Sequence, residues 1–152
     1  SLFGSYNLVA AKDTAIDGVN VRVYATALDQ PDDETRHSAT AELLDRTITE
    51  IGASPALPAG TVAGTATTAW GATAEIVTVA DVRVALWNTQ SSQAAANVEL
   101  GDSRDAGDEA GELTLTGPLG SATTTLRLTA DIPDPDVWWR LSHPLQLWGL
   151  AD

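Results

Sequence analysis

The sequence has no cysteine, no methionine, a single phenylalanine (Phe3) and a single lysine (Lys12). The missing cysteine excludes disulfides, a cysteine nucleophile and zinc–thiolate sites together. The scarcity of basic residues is as informative. Lysine and arginine total 8 against 21 acidic residues, a net charge of -13. Phosphate recognition needs a basic stripe, and none is present, so nucleic acid is excluded as a partner. An anionic membrane surface is disfavoured for the same reason. No apolar run approaches about 18 residues, so no membrane span is expected. The first residues, Ser1–Tyr6, lack the basic-then-apolar layout of a signal peptide.

What remains must build a core from Val, Leu, Ile and Ala, with five tryptophans as the aromatic bulk. So strong an excess of one charge keeps a chain soluble but makes it repel itself, and salt screens that repulsion. The Asp-rich, nearly lysine-free composition resembles proteins of salt-loving archaea and their viruses. A GC-rich bacterial source also raises Ala, Asp, Thr and Arg, and both origins stay open.

Along the chain the dominant signal is a period of two. Val19, Val21, Val23 and Ala25 alternate with Asn20, Arg22, Tyr24 and Thr26, as in a half-buried strand. Residues 1–17 read as an N-terminal arm or an edge strand ending in the turn pair Asp17-Gly18. Asp29–Glu34 reads as a solvated turn. Residues 38–51 are ambiguous: Ala39, Leu43, Leu44, Ile48 and Ile51 share a helical face, while Thr47-Ile48-Thr49 suits a strand. Strands are expected over Thr61–Trp70, Thr73–Val79, Val82–Trp87, Asn97–Leu100, Leu113–Thr116 and Leu126–Ala130, with a last one at Leu145–Leu147. About eight strands at short spacing predict an all-β, antiparallel β-sandwich, jelly-roll or immunoglobulin-like, with one short helix near 38–51. No linker or internal repeat is visible, and a single domain over 1–152 is expected.

The chemistry-bearing motifs are few. There is no nucleophile elbow, phosphate loop or dinucleotide fingerprint. No catalytic residue and no cofactor is therefore assigned. His37 and His143 stand alone and read as surface residues. The acidic loop with Asp102, Asp105, Asp108, Glu109 and Glu112 offers hard-cation ligands, with Asp102, Asp105 and Asp108 as the weak metal candidates, but its spacing is not that of an EF-hand. A solvated acidic loop is the plainer reading.

The most distinctive stretch is Ile132-Pro133-Asp134-Pro135-Asp136-Val137-Trp138-Trp139-Arg140, followed by Pro144-Leu145-Gln146-Leu147-Trp148-Gly149-Leu150. Two prolines set an extended lead-in. On an extended chain the two tryptophans point opposite ways, one into the core and one toward a partner, a ligand or a covering loop; the alternative is that the terminal segment covers the open end of the sandwich with both rings. Tryptophan is enriched at interface hot spots, so Trp138, Trp139 and Trp148 are candidate anchors, with Trp70 and Trp87 as alternatives on the strands. Leu2, Phe3 and Tyr6 are candidate interface residues of the arm.

The runs Pro135-Asp136-Val137-Trp138-Trp139 and Pro144-Leu145-Gln146-Leu147-Trp148-Gly149-Leu150 resemble the end of the immunoglobulin-like domain in family 2 glycoside hydrolases, with Val137 and Trp148 departing from that pattern. The resemblance covers about 20 residues and implies a sandwich spacer domain with no catalytic residue. In size, strand density and acidity the whole chain resembles small single jelly-roll capsid and penton proteins, and decoration proteins, of salt-loving viruses. The expected function is that of a structural subunit in a virion, binding copies of itself and neighbouring structural proteins. The alternative is a carbohydrate-associated binding or spacer module at a cell surface or outside the cell, because exposed tryptophans stack on sugar faces.

Overall fold

A computed structural model describes residues 6–143. Among these the elements run β1 (Tyr6–Ile16), β2 (Val19–Gln30), α1 (Asp33–Glu50), β3 (Ile51–Ala53), β4 (Val62–Thr67), β5 (Thr73–Thr78), β6 (Ala85–Trp87), β7 (Gln93–Val98), β8 (Glu109–Gly117), β9 (Gly120–Leu128) and α2 (Val137–Ser142). The fold is mostly β and sandwich-like, and the strand pairs with assigned register are all antiparallel. The chain forms two compact units. Among the described residues the first takes those up to Ala56 together with Arg83–Ala94 and Leu115–Ala122, and the second takes Leu57–Val82, Ala95–Thr114 and those from Thr123 to His143. Neither is a continuous stretch of sequence, so no linker marks their boundary.

In the first unit β1 and β2 form a long hairpin. Its two-residue turn is Asp17-Gly18, with Ile16 opposite Val19. Both turn residues have positive φ, 48° and 84°, the conformation that matches the twist of two paired strands and that Asp-Gly adopts readily. Residues 6–16, read from sequence as arm or edge strand, are thus a paired strand. The register places Ala10 opposite Ala25, Lys12 opposite Val23, Thr14 opposite Val21 and Ile16 opposite Val19. This row faces inward, and Val23 and Ala25 are buried with Leu44, Ile51 and Ala85.

Leu44 belongs to α1, which begins five residues before the expected 38. The acidic stretch read as a turn is the helix start. The Asp32 carboxylate accepts from the Thr35 N–H at 2.7 Å, and Asp33 and Glu34 occupy the first turn, where negative charge suits the helix dipole. The buried stripe is Thr40, Leu44 and the partly buried Ile48, while Leu43 is 46% exposed. The core-facing side is therefore rotated from the one expected. Buried Thr40 fits because its hydroxyl donates to the Arg36 carbonyl at 2.7 Å. At the far side Lys12 meets Asp45 of the helix at 2.8 Å. β3 pairs with β6, and there Ala85 is buried beside Val84 and Leu86. The alternation expected over Val82–Trp87 gives way to a continuous buried run.

β5 pairs with β4 on one side and β9 on the other, in a sheet of order β4-β5-β9-β8-β7. Thr124, Leu126 and Leu128 are buried and alternate with exposed Thr125 and Arg127, as the period of two requires. Ile76 lies opposite Leu128 and Thr78 opposite Leu126, and all four are almost fully buried. The hydroxyl of Thr78 donates to Pro58 O at 2.8 Å and accepts from Thr61 N–H at 3.0 Å, so a fully buried polar group is satisfied.

Gly111 of β8 is the tightest position. A Cβ there would lie 2.1 Å from the Asn97 carbonyl oxygen and 3.0 Å from Val98 Cα, at a φ of +122°. Gly64, on β4, has open space around it. Gly111→Ala is expected to destabilise the fold by about 2–4 kcal/mol through backbone strain and overpacking. Gly64→Ala is expected to stay within about 1 kcal/mol of the parent. Urea denaturation of the two variants checks the contrast.

Candidate interaction surfaces

The stiff lead-in ends at Asp136, and the tryptophan pair is helical where an extended chain was expected. The Asp136 carboxylate caps α2 by accepting from Trp139 N–H at 2.7 Å. Arg140 donates through Nε to the Pro135 carbonyl at 2.8 Å and lies 3.4 Å from Asp134. These caps close a helical turn directly after the prolines, and neighbouring side chains on a helix diverge by about 100°. Trp139 turns inward: its ring meets Trp70 edge-on at 5.8 Å and stacks on His143 at 4.7 Å. Trp70 in turn donates from Nε1 to the Pro133 carbonyl at 2.8 Å. Trp138 turns outward and is 80% exposed. Val137 and Leu141, at one-turn spacing beside it, are exposed to nearly the same degree. The result is an apolar helix face on a base fixed by two indoles and an imidazole.

The other expected residues scatter. Tyr6 lies beneath the Arg36 guanidinium, 5.8 Å from ring centre to cation, and is half-exposed. Leu2, Phe3 and Trp148, and the strand expected at Leu145–Leu147, fall outside the described residues. Trp87 sits at the end of β6, partly exposed. His37 contacts the Asp33 carbonyl within α1 at 2.8 Å. In the acidic loop one carboxylate, that of Asp108, turns on the loop's own backbone. Asp108 Oδ2 accepts from the N–H groups of Arg104 and Asp105, at 2.9 and 3.0 Å, and Asp131 accepts from Ala106 N–H at 2.7 Å. Among the described residues no three His, Cys, Asp or Glu side chains converge as a metal site, so Asp102, Asp105 and Asp108 are not brought together as a ligand set.

One surface escaped the sequence reading. The outer row of the β1–β2 hairpin carries Val9, Ala11, Asp13 and Ala15 opposite Thr26, Tyr24, Arg22 and Asn20, with Leu28 beyond. Val9, Tyr24 and Leu28 are each about two-thirds exposed. Its charges are Asp13 and Arg22, held to each other by two hydrogen bonds of 2.5 and 2.8 Å. The signal was present in the same alternation that marked the strand: the outward positions include Tyr24 and Leu28, where a solvated face calls for polar residues. A broad open depression of about 650 Å³, lined by Asp13, Thr14, Ala15, Asn20, Val21 and Arg22, lies near the hairpin tip.

No family model matches this sequence, and no curated protein is similar to it. Among solved structures, the D-alanyl-D-alanine carboxypeptidase DacD from Francisella tularensis is similar over 83% of this chain, at 13% identity and a TM-score of 0.45. The chain spans 33% of that protein's length. A likeness of this degree carries no argument about activity.

Three exposed carboxyls are held below their ordinary value of 3.8: Asp13 by its hydrogen bond to Arg22, Asp32 by the Thr35 N–H, and Asp108 by the N–H groups of Asp105 and Arg104. Each stabilises the folded state fully above its unfolded value and loses that contribution as pH falls through the lowered folded value. Stability should therefore drop below about pH 3.8. In the double variant Asp32→Ala, Asp108→Ala that acid limb should be shallower, with lower stability at neutral pH. Denaturant titrations across the acid range measure this, and an unchanged acid limb would count against the assignment.

Proposed function

We propose that this chain is a structural subunit of a larger assembly, a virion protein that works through contacts with its own copies and with neighbouring structural proteins. The observation that carries the reading is Trp138. An indole exposed over 80% of its surface, flanked by Val137 and Leu141, is costly to leave in water and is the residue type that dominates interface energetics. The base beneath it is built to hold it still: the Asp136 cap, the Trp139–Trp70 contact and the Trp70–Pro133 hydrogen bond fix α2 in place. A rigid aromatic anchor loses little conformational entropy on binding.

The charge fits the same reading. Copies carrying a net charge of -13 each repel at low ionic strength. They approach only where salt shortens the screening length, from about 10 Å at 0.1 M to about 3 Å at 1 M. Local apolar contacts then outweigh a repulsion that acts over longer range.

Two outcomes test this. Light scattering should show particles larger than a dimer at molar salt, and Trp138→Asp should abolish them while circular dichroism stays unchanged. A strict monomer at every salt concentration, with or without neighbouring structural proteins, overturns the reading. A tryptophan emission shift with oligosaccharides that Trp138→Ala removes would replace it with a carbohydrate module. Independently of assembly, the thermal midpoint of the folded chain should rise between 0.1 and 1 M NaCl, since screening relieves repulsion within the compact state. Calorimetry at several salt concentrations measures it.

A further inference from the structure

We infer that the outer face of the β1–β2 hairpin is a self-association surface, on which two copies of this chain pack hairpin to hairpin about a two-fold axis running along the ribbon. This rests on the assembly reading for the presence of a second copy, but it uses a surface separate from α2.

A hairpin of two strands needs cover on its apolar sides, and α1 covers only the inner row. The outer row is not the polar face that a solvated sheet presents. The exposed parts of Val9, Tyr24 and Leu28 alone amount to roughly 300 Å² of apolar surface, already the size of the largest patch on ordinary monomers. With Ala11, Ala15 and Thr26 between them the face reaches about 450–500 Å², and two such faces approach the roughly 1,000 Å² that a biological interface buries.

The occupant follows from charge and from register. Each copy carries a net charge of -13, so copies meet most cheaply where the local charge is zero. The outer row meets that condition, because its one acid and its one base neutralise each other. The cross-strand register also sets opposites side by side: Tyr24 beside Ala11, and Arg22 beside Asp13. A two-fold axis along the ribbon exchanges the two strands between copies. Tyr24 of one copy then lies over Ala11 of the other, large on small, and Arg22 lies over Asp13. The face is complementary to itself in volume and in charge, as an isologous interface requires. Stacked sheets sit about 10 Å apart, which the span of a tyrosine over an alanine fills.

The experiment uses the Trp138→Asp chain, in which the α2 contact is removed. Sedimentation at 1 M NaCl should show it as a dimer, and adding Tyr24→Glu should weaken that dimer at least about tenfold with the fold intact by circular dichroism. A second test swaps the charges, Asp13→Arg with Arg22→Asp. The swapped chain should pair with itself and refuse to mix with the unswapped chain, because mixing sets arginine on arginine and aspartate on aspartate. Mixing is followed by native mass spectrometry at the lowest salt that sustains the dimer. A monomeric Trp138→Asp chain overturns the inference, as does a dimer indifferent to Tyr24→Glu or free mixing of the two charge types. If Trp138→Asp leaves large assemblies untouched, the α2 reading fails and Tyr24→Glu decides the hairpin pairing, which is overturned if those assemblies keep their size.

Discussion

Within the first unit, structure depends on one contact, the packing of α1 against the inner row of the β1–β2 hairpin. Val23 and Ala25 from the hairpin, Leu44 from the helix and Ile51 just beyond it form the buried cluster with Ala85. A two-stranded ribbon has no independent stability in water, and an 18-residue helix is marginal without a partner. Each makes the other possible. Because α1 is a single helix it covers a single face, and the exposed outer row follows directly from that economy. The hairpin is long, its Asp-Gly turn fixes the register, and a fixed register decides which side chains are left outside.

Electrostatics acts at two distances. At short range the acidic residues are put to use: Asp32 caps a helix, Asp136 caps another, Asp108 and Asp131 hold the loop between β7 and β8 and its surroundings by accepting backbone N–H bonds. These are local, directional and indifferent to bulk salt. At long range the excess of carboxylates acts as a diffuse repulsion that salt removes. The same residues therefore stabilise segments of the fold and oppose contact between copies. An interface on such a protein has to be built where acid is absent or neutralised, and both candidate surfaces are of that kind. Val137, Trp138 and Leu141 carry no charge, and Asp13 is cancelled by Arg22.

Much of the β pattern was legible because strand alternation is a short-range signal. β2 and β9 follow it closely, β5 breaks it at Val77, buried between Ile76 and Thr78, and Asp17-Gly18 was legible as a turn. What misled was of three kinds. Pro31-Asp32-Asp33-Glu34 has turn composition, yet Asp, Pro and Glu are also the residues of helix starts, and only the downstream helix decides between the two. At Val137–Ser142 the preceding prolines suggested continued extension, whereas the Asp136 cap reverses it within one residue. Val84-Ala85-Leu86 shows the third limit: burial on both faces erases alternation, so period-two reasoning turns Ala85 outward when it lies inside. The exposed position of Trp138 was legible, although from a wrong local geometry. Opposite directions for adjacent tryptophans hold on a strand, and a 100° divergence on a helix is enough to separate Trp138 from Trp139.

The two apolar surfaces differ in what they ask of a partner. On α2 the contact area is small and the anchor is large and rigid, so affinity has to come from a pocket that receives one indole. On the hairpin the area is wider, the residues are mostly small and the relief is shallow. Such a face has little to offer a partner of arbitrary shape, since Ala11, Ala15 and Thr26 form hollows only as deep as a Tyr24-sized neighbour can fill. A partner whose bulges repeat at the spacing of those hollows is needed, and the cross-strand register of this same hairpin sets that spacing. In the proposed assembly the two surfaces divide the work, the ribbon selecting its own kind by register and the helix reaching to a further subunit.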